Sequence, residues 1–228
     1  MPVYRLNQRL VFPPAHLAES ENGLLAVGGD LSRERLLKAY AEGIFPWYSP
    51  GDPLLWWSPD PRALLFPDEF HLSRRNRRYL QKAGFRLRRD TVFAEVIKAC
   101  AETPRRHESG TWITPEMQTA YIDLHRGGFA HSFEVFQNHK LVGGLYGISL
   151  GRCFFAESMF SQVDHASKAA LSDLAALAKC RNFHFIDVQF LTSHLEQFGV
   201  REISRREYLL RLDRALKKPT LRKLWTEL

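Results

Sequence analysis

The sequence predicts an α+β fold, with a mostly antiparallel sheet flanked by helices. Three observations carry this. SFEVF (132–136) alternates, QNHK (137–140) turns, LVGGLYGIS (141–149) returns and RCFFAESMF (152–160) gives a third strand, the pattern of a meander. Helical spacing over 164–179 brings Ala166, Ala169, Ala170, Leu174 and Leu177 to one side. The following run, FHFIDVQF (183–190), starts apolar on both faces, as a strand covered on both sides does.

The remaining elements follow in order. FPPAHLAESENGLLAVGGDL (12–31) is rich in Pro and Gly. A helix over 32–41 places Leu36, Leu37 and Tyr40 on one face and is stopped by Gly43 and Pro46. The prolines of GIFPWYSPGDPLLWWSPDPR (43–62) make it an ordered, aromatic-filled loop without regular structure. A boundary around residues 62–66 divides the chain into 1–63 and 64–228. A helix over 73–83 has Ser73 as N-cap and Gly84 just beyond its end. A strand FRLR (85–88) has Phe85 and Leu87 on one face, and a helix over 91–102 turns Val92, Phe93, Val96, Ile97 and Cys100 inward. PRRHESGTW (104–112) is a loop; Thr114 caps the next helix, Pro115 opens it and Gly127-Gly128 ends it. After the last long strand, SHLEQFG (193–199) is helical and a C-terminal helix starts at Arg205. The same order of elements occurs in the acyl-CoA N-acetyltransferase superfamily.

At 228 residues the chain can bury a substantial core. With 45% hydrophobic and 25% charged residues it is neither disordered nor collagenous nor of low complexity. The formal charge of +7 leaves a nucleic-acid or membrane-surface partner open. Cys100, Cys153 and Cys180 are far apart and odd in number, which argues against a disulfide framework or a zinc ribbon and for a reducing compartment. MPVYRLNQRLVFPP lacks the apolar run of a secretory signal, and the longest stretch free of Asp, Glu, Lys and Arg (141–151) is too short to span a bilayer. A soluble cytoplasmic protein is the expectation.

Several residues stand out chemically. With a period of two, Phe183, Phe185, Asp187 and Gln189 share one face of 183–190, and Cys153, Phe155 and Glu157 share one face of 152–160. An unpaired buried carboxylate costs several kcal/mol. Asp187 and Glu157 are therefore either part of a site or structural acids paired with arginine or capping a helix. Arg74, Arg75, Arg77, Arg78 and Lys82 crowd one short helix, with Arg86, Arg88, Arg89, Arg105 and Arg106 following. They form either a solvated face or a surface for a polyanion such as an RNA backbone; cations at a helix N-terminus oppose its dipole, which favours the polyanion. Trp47, Trp56, Trp57 and Trp112 lie in loops, where they fill a core or stack on a base. GGLYG (143–147) matches neither a dinucleotide nor a P-loop fingerprint, and no phosphate cradle is evident in GVREISRRE (199–207). His165 and His184 read as structural, no histidine pair has metal-binding spacing, and no Ser or Cys sits in a nucleophile elbow.

NGLLAVGGDLS (22–32), GIFPWYSPGDPLLWWSPDPR (43–62), GTWIT (110–114), LVGGLYG (141–147), ESMFS (157–161), ASKAAL (166–171) and FIDVQF (185–190) occur in that order. Together they resemble the bacterial leucyl/phenylalanyl-tRNA–protein transferases, over about residues 12–209. The resemblance implies a small N-terminal α/β domain and a larger domain with the N-acetyltransferase-like (GNAT-like) fold. It implies an aminoacyltransferase that moves Leu or Phe, and less readily Met, from aminoacyl-tRNA to the α-amine of proteins beginning with Arg or Lys. The product is thereby marked for N-degron proteolysis. No cofactor and no metal are expected.

The same resemblance assigns Trp47 and Trp112 to the tRNA 3′-terminal adenosine, Asp187 and Gln189 to the catalytic pair, and Glu157 to the acceptor N-terminus. It places Leu145, Phe154 and Phe155 in the aminoacyl side-chain pocket, and Arg74, Arg75, Arg77, Arg78 and Lys82 on the tRNA-binding face. Three features depart from the pattern: Ala156 replaces a glycine, His165 replaces an asparagine, and the loop at 103–109 is longer.

The chemistry is compatible with these residues. An aminoacyl ester is already activated, and an α-amine with a pKa of about 7.7–8 is partly neutral at physiological pH. Gln189 would position amine and ester, with Asp187 orienting Gln189 and steering the proton. Glu157 would pair with the cationic acceptor end. Two other classes remain to be separated. An acetyl-CoA-dependent N-acetyltransferase would carry an R/Q-x-x-G-x-G/A loop, which is absent from the sequence. A non-catalytic RNA-binding module would tolerate alanine at Glu157, Asp187 and Gln189.

Overall fold

The computed structural model describes residues 3–103, 111–223 and 225–227. Most of the loop expected at 104–112, with Arg105 and Arg106, lies outside these residues, as does most of the departure at 103–109.

Two sheets organise the chain. The smaller has the order β1-β2-β4-β3, from β1 (Tyr4–Leu6), β2 (Leu24–Gly28), β3 (Phe45–Pro46) and β4 (Leu55–Trp57). Helix α1 (Arg33–Ala41) lies between β2 and β3 in sequence and buries Leu36, Ala39 and Tyr40. The segment 43–62 is therefore not a bare loop. It holds two short strands, and Arg62 opens a third. Pro46 is accommodated because β3 is an edge strand, where a missing N–H breaks no ladder.

The larger sheet has seven strands in the order β11-β5-β10-β9-β8-β7-β6. They are β5 (Arg62–Leu65), β6 (Arg86–Arg89), β7 (Ala130–Gln137), β8 (Lys140–Leu150), β9 (Cys153–Ser161), β10 (Phe185–Gln189) and β11 (Arg201–Ile203). Only β9 and β10 pair in parallel; the other neighbours are antiparallel. The meander expected from the alternation is β7-β8-β9. β6 is an exposed edge, where Leu87 is 46% exposed while Phe85, just before it, packs against the core beneath α5.

The faces of this sheet carry different covers. On one side lie α3 (Phe93–Glu102), α4 (Pro115–Arg126), α7 (Arg205–Leu216) and the small sheet, over a core that includes Tyr40, Tyr121, Tyr146, Phe155 and Tyr208. On the other lies α5 (Ala166–Cys180), over a core with Leu145, Phe154, Leu174, Ile186 and Val188. The caps follow the sequence: the Thr114 hydroxyl accepts from Met117 N–H (3.3 Å), and Pro115 opens α4. Two further helices are α2 (Arg74–Lys82) and the single turn α6 (Ser193–Glu196). Trp225, near the C-terminus, is fully buried, stacks on His131 (3.8 Å between ring centroids) and donates its backbone N–H to Asp90 (2.7 Å).

Candidate active site

The site lies at a fork in the large sheet. β9 and β10 pair in parallel as far as Asp187 opposite Phe155. Each strand is irregular just beyond that point. On β9 the register with β8 shifts between Ala156 and Ser158, which leaves Glu157 unpaired. On β10 the register with β5 shifts between Asp187 and Gln189, and Gln189 takes φ +61°. An extra residue in a strand re-aims the side chains beside it. The Gly147 opposite Ala156 permits the tight approach on β8, since a Cβ there would lie 2.0 Å from the Phe155 carbonyl oxygen.

A cavity of about 240 Å³ opens at the fork. Its lining includes Trp47, Trp112, Glu157 and Gln189, with Phe45, Val188, Phe190 and Leu195 supplying apolar walls. Trp47 is held by Phe190 (5.6 Å) and Trp57 (5.8 Å between ring centroids), and Trp57 Nε1 donates to the Trp47 carbonyl (2.6 Å). Trp47 and Trp112 are each half-buried, with ring surface left to meet a ligand.

The two carboxylates at the fork have different surroundings. Asp187 is fully buried and accepts from Arg62 Nε (2.9 Å), Arg62 Nη2 (2.8 Å) and the Tyr208 hydroxyl (2.8 Å). Its charge also holds the Arg62 guanidinium firmly protonated. Among the described residues Glu157 has no such counter-ion in contact. It accepts from the Tyr121 hydroxyl (3.1 Å), which itself pairs with the Tyr40 hydroxyl. Burial pushes the Glu157 carboxyl up to about 8; the Tyr40 and Tyr121 hydroxyls oppose the rise, and the charges of Asp187 and Arg62 act on it in opposite directions, the first raising and the second lowering it.

Gln189 bridges the fork. Hydrogen bonding assigns its amide nitrogen to the carbonyls of Ala156 and Val188, each at 3.0 Å. The other amide atom lies 3.5 Å from Glu157 Oε1. That atom is then the carbonyl oxygen, and two facing oxygens suit a glutamate that keeps its proton.

Two family models match the chain, and both strands of the fork lie within one of them. Residues 64–213 match the model described as leucyl/phenylalanyl-tRNA protein transferase, and residues 29–60 match its N-terminal domain. A leucyl/phenylalanyl-tRNA–protein transferase of Syntrophus aciditrophicus is 54% identical over 226 residues, covering 99% of this chain and 94% of the relative. The corresponding protein of Syntrophobacter fumaroxidans is 55% identical over 209 residues, covering 92% and 89%. The chain belongs to this family. It is accordingly an aminoacyltransferase. A more distant likeness is to a solved structure titled L-PGS from Bacillus licheniformis, 10% identical with a TM-score of 0.44, covering 85% of this chain and 71% of that one.

Against the residues expected for a leucyl/phenylalanyl-tRNA–protein transferase, the structure brings four to one cavity: Trp47, Trp112, Glu157 and Gln189. Asp187, two residues before Gln189, is sealed from the cavity and touches its lining through the Gln189 backbone N–H. Leu145, Phe154 and Phe155 do not line this cavity and do not lie together. Leu145 and Phe154 belong to the core beneath α5, while Phe155 faces the opposite side of the sheet against Tyr40 (5.0 Å between ring centroids). Neighbours on a strand point to opposite faces, which puts Phe154 and Phe155 in different cores.

Arg74, Arg75, Arg77, Arg78 and Lys82 are all exposed on α2, and none has a carboxylate partner among the described residues. His165 occupies the left-handed position before α5 (φ +66°), a conformation that Asn and His both adopt more readily than most residues. The sequence reading missed Arg62, Tyr121, Tyr208 and Phe190. Arg62 had a usable signal, because a lone cation heading the apolar run ALLF needs a buried partner.

Proposed function

We propose that this chain transfers Leu or Phe, and less readily Met, from aminoacyl-tRNA to the α-amine of proteins beginning with Arg or Lys. The observation that carries this is the convergence of two tryptophans, a half-buried glutamate and an amide on one cavity. The product would enter N-degron proteolysis in the cytoplasm. Among the described residues no helix is long and apolar enough to cross a membrane.

The terminal adenosine stacks on Trp47 and Trp112. The aminoacyl side chain lies against Val188 and Leu195, the cavity-facing edge of the core that contains Leu145 and Phe154. An apolar wall separates hydrophobic side chains by only about 1–3 kcal/mol per methylene, which is why Met is also accepted. The acceptor's cationic side chain pairs with Glu157 as that group ionises. Gln189 accepts an N–H of the neutral α-amine and holds its lone pair toward the ester carbonyl. The new C–N bond forms, the bond from the carbonyl carbon to the ribose oxygen breaks, and the proton lost by nitrogen ends on the released ribose hydroxyl.

Labelled leucine on tRNA, offered to a peptide beginning with Arg beside one beginning with Gly, tests the reaction. Transfer to the Arg peptide alone is the expected result. Acetyl label from acetyl-CoA on either peptide, with none from tRNA, would overturn it. The exposed arginines of α2 are placed against the tRNA backbone. Arg75→Glu with Arg78→Glu is expected to weaken tRNA binding about tenfold or more and to flatten its salt dependence by about two counterions. An unchanged salt slope returns them to a solvated face.

A further inference from the structure

Asp187 has no acceptor site to spare. Oδ1 accepts from Arg62 Nε (2.9 Å) and from the backbone N–H of Gln189 (3.0 Å). Oδ2 accepts from Arg62 Nη2 (2.8 Å) and from the Tyr208 hydroxyl (2.8 Å). An ionised carboxylate offers about four such sites, so an incoming amine proton finds none free. Asp187, Arg62 and Tyr208 are all fully buried, so none of them meets a substrate directly.

The cluster acts on Gln189. With φ at +61°, this residue occupies the left-handed region that side-chain-bearing residues seldom adopt. The bond from its N–H to Asp187 ties the turn to the buried cluster, beside the backbone bond from Phe190 N–H to the Val188 carbonyl (2.7 Å) that closes it. The turn breaks the period of two, so that Val188, Gln189 and Phe190 all reach the cavity wall. Arg62 is itself gripped. Its guanidinium lies 4.7 Å from the Phe45 ring centroid and 4.6 Å from that of Tyr208, and Nη1 donates to the Gly43 carbonyl (3.4 Å). Phe45 is also a wall of the cavity.

Resting on the aminoacyl-transfer reading of this cavity, we propose that Arg62 is a positioning residue for the reaction. Acting through Asp187, its planar fork holds Gln189 in the left-handed turn that presents the amide to the substrates. The charge of Asp187 anchors Arg62 and takes no part in moving the proton.

Steady-state kinetics of the full chain with Leu-tRNA and an Arg peptide, across pH, test this. Arg62→Lys keeps the charge and loses the two-pronged geometry. It is expected to lower kcat at least tenfold, to leave KM for Leu-tRNA within about twofold, and to keep the midpoints of the pH profile. Tyr208→Phe removes one donor at almost constant volume and is expected to lower kcat about two- to fivefold in the same pattern; it decides the matter if Arg62→Lys fails to fold. Arg62→Gln combined with Asp187→Asn removes both charges but keeps an oxygen for the Gln189 N–H. Its residual transfer is expected to follow the wild-type pH profile. Wild-type kcat in both single variants overturns the proposal, and so does a shifted pH profile in any of the three. A wild-type chain that transfers nothing from Leu-tRNA defeats the aminoacyl-transfer reading instead. A wild-type chain that is active beside fully active variants defeats only the role of Arg62.

Discussion

Asp187 and Glu157 stand on neighbouring strands of one fork, yet burial has opposite consequences for them. Asp187 is enclosed by a guanidinium, a tyrosine and a backbone N–H. Glu157 has tyrosine and amide neighbours and an open side toward the cavity, and its pKa rises to about 8. The partners differ: Asp187 is ion-paired with Arg62, whereas Glu157 meets neutral hydroxyls, and desolvation raises the Glu157 pKa. The charged partner makes Asp187 part of the scaffold. Glu157 has no charged partner in contact among the described residues, and under the proposed function it pairs with the acceptor's cation.

Asp187→Ala breaks this contrast most severely. It strands the Arg62 charge in the core, so a stability loss of about 3–5 kcal/mol is expected together with loss of transfer. Denaturant unfolding and a transfer assay on the same sample check both; an intact midpoint contradicts the paired-scaffold account of Asp187.

A smaller effect concerns pH. A carboxyl whose pKa is higher folded than unfolded holds its proton better in the folded state. Its stabilising contribution is complete below about pH 4.3, the ordinary glutamate value, and is lost as pH rises through 8. Glu157→Gln is therefore expected to gain stability relative to wild type as pH goes from 5 to 8, by on the order of 1–3 kcal/mol. Melting curves that run parallel across that range remove the raised pKa from the account.

The smallest expected effect is at the tyrosine beneath Glu157. Tyr121→Phe removes the donor to Oε2 and a force holding the pKa down. A two- to fivefold rise in KM for an Arg peptide at pH 7 is expected, about 0.5–1 kcal/mol of binding. The change should fade above pH 9, where Glu157 is ionised in either protein.

Much of the scaffold was legible because it obeys simple periods. The alternation of β7, β8 and β9, the helical stripe of α5, and the Thr114–Pro115 start of α4 all follow from local pattern. The polar residues of the site were legible too, as Glu157 and Gln189 interrupt apolar strands. Their directions were not, because both sit at breaks in the period on which face assignments depend. Asp187 and Gln189, expected on one face, diverge: one is sealed against Arg62 and the other lines the cavity. The same rule of alternation, applied strictly, already separates Phe154 from Phe155. For Arg62 the cation heading ALLF signals a buried partner but does not identify it. Its significance depends on a partner 125 positions away, which no local window contains.

The central claim is that Glu157 reads the acceptor's cation at the fork. Its most direct test is the ratio of kcat/KM for a peptide beginning with Arg to that for one beginning with Met, measured with wild type and with Glu157→Gln. The account predicts that the substitution lowers this ratio by roughly tenfold to a hundredfold, the worth of a hydrogen bond to a charged group, while transfer at saturating Arg peptide persists. An unchanged ratio would contradict it and move acceptor recognition away from the fork.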